Sequence, residues 1–154
     1  MPTIIRNPLD IAPIIGTRYP EPHDAPCVDR QKRSLGNQAG LKNFGVNYTV
    51  LPPGTWSYQR HWHRVQDEFI VMMTGTLTLI TNEGATELTE GMCVGFPAGE
   101  QNGHHLLNNS DQDAAYFEIG DRLPGDTGEY SDIDMQFAFE NDRGVFSHKD
   151  GSPY

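Results

Sequence analysis

An all-β fold, a barrel or sandwich, is the class this chain predicts, and three features point to it. Short runs of alternating apolar and polar residues recur along the chain. Gly, Pro and Asn bound those runs, with 16 Gly and 11 Pro among 154 residues. Helical periodicity is scarce. A length of 154 residues fits one domain, 1–154, with enough chain to bury a real core.

Residues 1–39 read as an N-terminal arm. Pro20-Glu21-Pro22-His23-Asp24-Ala25-Pro26 holds neither a helix nor a central strand, so one edge strand near Ile11–Ile15 is all that is expected there. From Phe44 to Leu51 the alternation is regular, with Phe44, Val46, Tyr48 and Val50 on one face. Pro52-Pro53-Gly54 then turns the chain. Residues 55–63 are expected as the next strand, 68–74 as another, and 76–81 as the one after the break at Gly75. Asn82-Glu83-Gly84 is a tight hairpin turn. Strands over 85–90, 92–96, 104–109 and 113–119 follow, separated by Gly91, Pro97-Ala98-Gly99 and Asn109-Ser110-Asp111. The tail from 121 to 154 is acidic and polar with scattered aromatics, and reads as a second arm packed on the body or on a partner subunit.

Net charge is −10, from 11 basic and 21 acidic residues. That balance excludes a nucleic-acid surface, which needs Lys and Arg against phosphate, and an anionic membrane. The longest apolar stretch, Phe69-Ile70-Val71-Met72-Met73, is too short to span a bilayer. Two cysteines, Cys27 and Cys93, make no disulfide framework, and Met1–Asp10 lacks the pattern of a secretory signal. A cytoplasmic protein is the expectation.

The chemistry gathers at His61-Trp62-His63 and Glu68. Strand alternation sends residues two apart to one face, so His61 and His63 can aim two imidazoles into one space. Glu68 can add a carboxylate. Two nitrogens and an oxygen converging on a cavity suit a transition metal.

Two motifs extend that set. Gly54, His61-Trp62-His63, Glu68 and Gly75 resemble the first motif of the cupins, and Gly91, Pro97-Ala98-Gly99, His104 and Asn108 resemble the second. The resemblance covers about residues 40–120, the barrel core. Two insertions depart from the pattern: six residues separate Gly54 from His61 where five are usual, and four separate Gly99 from His104 where two are usual. Gly103 to Asp111, Glu118 to Arg122 and Asp126 to Asp132 are similar to small bacterial cupins, some bearing a sugar-phosphate isomerase label.

The resemblance implies a single jelly-roll barrel, or double-stranded β-helix, with arms at both ends. It also implies one divalent metal ion, of iron, manganese, nickel, zinc or copper, on His61, His63, Glu68 and His104. His105 competes with His104, since His105 and Asn109 repeat the spacing of His104 and Asn108. Glu68 doubles as a general base if it leaves the metal.

By phase, Ser57, Gln59, Ile70, Met72 and Phe96 are expected to line a substrate space with an apolar wall. Arg60 is expected to face outward, and no Lys or Arg is placed inside, which disfavours a phosphorylated substrate. The expected activity is that of an oxygenase, isomerase or lyase on a small oxygenated metabolite; a metal-assisted binder without turnover is the alternative. Exposed strand edges that need covering, together with the fold resemblance, lead to an expected homodimer.

Overall fold

The computed structural model describes residues 1–141 and 143–154. Its strands are β1 Ile14–Ile15, β2 Gln31–Ser34, β3 Phe44–Leu51, β4 His61–His63, β5 Glu68–Thr74, β6 Thr76–Thr81 and β7 Gly84–Thr89. β8 Cys93–Phe96, β9 His105–Leu107, β10 Ala114–Asp121, β11 Thr127–Tyr130, β12 Gln136–Glu140 and β13 Arg143–Ser147 complete them. One short helix, α1, covers Leu35–Gln38.

The strands close a jelly-roll barrel from two antiparallel walls. One wall has the order β1-β2-β3-β10-β5-β8. The other is built from β13-β12-β11-β4 and β7-β6-β9, joined where His61 and His104 exchange backbone hydrogen bonds of 3.2 and 2.9 Å. Leu51, Ile70, Met72, Leu77, Leu79, Leu88, Leu106, Ala114 and Tyr116 come from both walls and form the main core. Burying such side chains contributes roughly 1.5–3 kcal/mol each.

The turns sit where their residues allow them. Gly75 takes a φ of 74° at the β5–β6 corner, and a Cβ there would lie 2.8 Å from the Asp113 carbonyl. Asn82 and Glu83 close the β6–β7 hairpin, where Thr81 pairs with Gly84.

Three expectations need correction. Residues 55–60 are not a strand. Successive carbonyls there accept side-chain donors in place of ladder partners: Ser57 from Arg30 at 2.7 Å, Tyr58 from His105 at 3.0 Å and Gln59 from His61 at 2.9 Å. The edge strand expected in the first arm is present as β1, but β2 joins it in extending one wall, and β11 to β13 extend the other where the tail was expected only to pack. Tyr19 and Cys27 from the first arm meet Tyr130, Met135 and Phe137 from the second in a separate core. Finally, Cys93 near Gly91 and Met73 on its apolar strand read from the sequence as core residues, but Cys93 is exposed and Met73 is 37% exposed.

Candidate metal centre

β4 carries His61 and His63, β5 begins with Glu68, and His104 lies opposite His61. Glu68 Oε2 lies 2.9 Å from His104 Nε2, 3.3 Å from His63 Nε2 and 3.8 Å from His61 Nε2. The three imidazoles thus share one close neighbour. Ligand atoms of His61, Glu68 and His104 all lie within 4.8 Å of one another, a set that could hold a metal.

Neighbouring groups fix the rings. His61 Nδ1 is 2.9 Å from the Gln59 carbonyl, so its proton sits on Nδ1 and Nε2 is left with a lone pair. His63 Nδ1 is 2.6 Å from Asp126 Oδ2. Asp126 is fully buried, and its other oxygen accepts from the Val65 and Gln66 amides at 3.0 and 3.3 Å. His104 Nδ1 is buried without a hydrogen-bond partner among the described residues; its ring instead stacks on Phe96 at 3.5 Å and 5°. Two rings with Nδ1 committed and Nε2 turned inward fit a divalent ion.

Electrostatics at the cluster are divided. Burial pushes His61 down to about 3, which keeps it neutral. Burial also opposes charge on His63, but Glu68 and Asp126 outweigh it and raise His63 to about 10. Burial alone would raise Glu68, yet His63 and His104 hold its carboxyl well below the usual range.

A cavity of about 170 Å³ opens beside the cluster. His63, Glu68, Phe96 and His104 line it, with Trp62, Val94, Thr81, Glu100 and Asn102 among the remaining walls. Of the residues expected around substrate, Phe96 alone is there. Ile70 and Met72 are packed in the core. Ser57 Oγ accepts from the Leu106 amide at 2.9 Å, and Gln59 Nε2 donates to the His23 carbonyl at 2.7 Å. Both are spent on structure, Ser57 within the backbone pairing of 55–57 with the β9 segment and Gln59 where the chain has left that pairing.

His105 turns away from the cluster. Its Nδ1 meets the Tyr58 carbonyl and its ring packs on Trp56. Arg60 faces outward, paired with Asp132 at 2.8 Å. An inward cation does exist, however. Lys32 Nζ lies 2.8 Å from Tyr58 Oη and 3.3 Å from Glu118 Oε2, and Asn47 donates to the same carboxylate at 3.2 Å. Tyr58 Oη reaches Glu118 at 3.0 Å, and its ring stands 5.2 Å from that of His61. Sequence reading missed Lys32, Glu118 and Asp126. Lys32 lies in an arm where no motif marks it; Glu118 and Asp126 fall in the segments similar to small bacterial cupins, which assign them no role, and the alternation of β10 alone could have turned Glu118 inward.

The cupin domain family matches residues 47–120. A crystal structure from Silicibacter pomeroyi, described as a sugar phosphate isomerase from a cupin superfamily, is 40% identical over 95% of this chain and 94% of its own, with a TM-score of 0.91. The chain belongs to the cupin superfamily. A protein from Acidithiobacillus ferrooxidans, described as a candidate sugar phosphate isomerase, is 24% identical over 82% of this chain and 80% of its own (TM-score 0.73). The polyketide cyclase RemF from Streptomyces resistomycificus shares the cupin fold at 16% identity, over 79% of this chain and 80% of its own (TM-score 0.62). No curated protein matches. No helix among the described residues is long and apolar enough to cross a membrane.

Proposed function

We propose that this cupin is a metal-dependent enzyme acting on a small oxygenated metabolite, with the ion held by His61, His63, Glu68 and His104. The observation that supports it is the approach of three imidazole Nε2 atoms to one Glu68 oxygen at the wall of a cavity. A divalent ion bound there supplies Lewis-acid polarisation of a carbonyl or hydroxyl oxygen. The protein supplies the rest. Phe96 and Val94 shield the reacting end from water, and Trp62 offers an aromatic face. Glu68, with its side chain 14% exposed, is the one cluster carboxylate that reaches the cavity, and released from the ion it would be the residue placed to take a proton from substrate. The name borne by the 40%-identical relative suggests an isomerase, which needs this kind of proton transfer.

Cobalt titration followed by visible absorption tests the reading. One ion per chain is expected, lost in His61→Ala and in His104→Ala. Wild-type protein that takes up no ion would sink it. A metal-loaded protein that binds metabolites and returns them unchanged would favour the binding-only alternative.

A further inference from the structure

Four inward residues form one row across the larger wall. Phe96 pairs with Glu68, Glu68 with Gly120, and Gly120 with Gly45. The next row down is Val94, Ile70, Glu118, Asn47 and Ser34, by the same registers. This inner face is therefore apolar on the β5–β8 side and polar on the β10–β3–β2 side, with Glu68 on the border. The two glycines make a shelf beside Glu68. A Cβ on Gly120 would meet the Asp67 carbonyl at 3.3 Å and Glu68 Cγ at 3.8 Å, and no other described atom within 4 Å. A Cβ on Gly45 would meet Arg122 Nε at 3.7 Å. Arg122, two residues beyond Gly120, thus lays its guanidinium over the far end of the shelf.

Arg122 differs from the other cations near the site. Lys32, Arg60 and Arg64 are each paired with a carboxylate. Arg122 is exposed and bound to the Leu41 carbonyl at 2.8 Å and to Asn37 Oδ1, with no carboxylate partner among the described residues. A guanidinium has five N–H donors, so several remain for an anion. From Glu68 to Gly45 is two strand spacings, roughly 10 Å, the reach of about eight extended bonds, which a five-carbon chain spans only with an oxygen at one end and an ester-linked anion at the other.

We propose that the Gly120–Gly45 shelf holds the hydroxylated middle of the substrate and that Arg122 binds an anionic group at its far end. This rests on the metal reading above, which places the other end at Glu68. In the row beneath the shelf Glu118 is held by Lys32, Tyr58 and Asn47, which leaves the Asn47 side-chain oxygen and the Ser34 hydroxyl as the partners for hydroxyls. The anion is a phosphate ester or a carboxylate, since a guanidinium fork matches both. The earlier objection to a phosphorylated substrate falls: Lys32, the inward cation, is held by Glu118, but Arg122 supplies a cation at the exposed end of the shelf.

The test is calorimetric titration of cobalt-loaded protein with D-glucose 6-phosphate, D-glucuronate and D-glucose as probes. At least one anionic probe is expected to bind about tenfold tighter than D-glucose, the ratio one charge-assisted hydrogen bond supports. Preference for the phosphate ester, for the carboxylate or for both supports the subsite and names its anion. Arg122→Met should erase the preference, and Arg122→Lys should keep most of it, which separates lost charge from a lost fold. Equal binding of D-glucose, no binding of any probe, or a preference that survives Arg122→Met overturns the proposal. Cobalt uptake is read separately by absorption, so failure of the metal reading shows as missing cobalt, and failure of the subsite shows with cobalt in place.

Discussion

His63 and Asp126 share a 2.6 Å hydrogen bond with no route to solvent on the aspartate side. A carboxylate on Nδ1 fixes the ring and makes Nε2 a better ligand. Asp126→Asn should therefore weaken cobalt binding by about 10–100-fold, read by titration. Proton linkage gives a second prediction at this scale. His63 is raised to about 10, so the folded metal-free protein binds more protons there than the unfolded chain between 6.5 and about 10, and stability falls as pH rises through that window. His61 is lowered to about 3, so the unfolded chain binds more protons between about 3 and 6.5, and stability falls as pH drops through that window. The melting temperature of metal-free protein should peak near neutral pH, and a profile flat from pH 4 to 10 would refute this linkage. His104 against His105 was the finest distinction at this scale. Both are buried and carry an Asn four residues on, so only the strand face and the stacked Phe96 separate them.

Elements from the tail complete the site. β11 pairs with β4 through Gly128 with His63 and Tyr130 with His61. It also brings Asp126 to the ring of His63. Ending the chain after Leu123 removes this strand and exposes the β4 edge, so such a protein is expected to lose cooperative unfolding, which circular dichroism would report. Gly75→Ala should also destabilise, by about 1–3 kcal/mol, because the new methyl overpacks against the Asp113–Ala114 backbone in a left-handed conformation. Chemical denaturation measures that difference. Most of β3 to β10 could be read from alternation and turn residues. β11 to β13 could not, because each is short, Gly128 and Gly144 interrupt the alternation, and the pairing that ties them to the barrel, β11 with β4, spans more than sixty residues.

At the scale of the molecule, the outer face of the larger wall lacks a partner. Phe44 and Phe69 are each 43% exposed there and Met73 is 37% exposed, beside Val46, Tyr48, Val71, Phe117 and Ile119. These side chains are uncharged in a chain of net charge −10. A contiguous apolar patch is costly to leave in water, so we propose that two copies pack through this face. Sedimentation at micromolar concentration should return the mass of a dimer, and Phe69→Glu with Phe117→Lys should return 17.2 kDa chains. A wild-type monomer would rule this face out as a dimer interface.

Local chemistry sufficed for an all-β class and for His61 and His63 on one face; the jelly-roll barrel and His104 entered through the resemblance to the cupins. Alternation sets which way a strand residue points, and glycine and proline set where a strand stops, both within a few residues. The surroundings of the site were settled only in three dimensions. Asp126 reaches His63 across 63 positions, Lys32 reaches Glu118 between strands that flank β3, and Arg122 covers a glycine on the neighbouring strand. Such contacts depend on strand order and register, which arise from the packing of the whole sheet and leave no periodic trace along the chain.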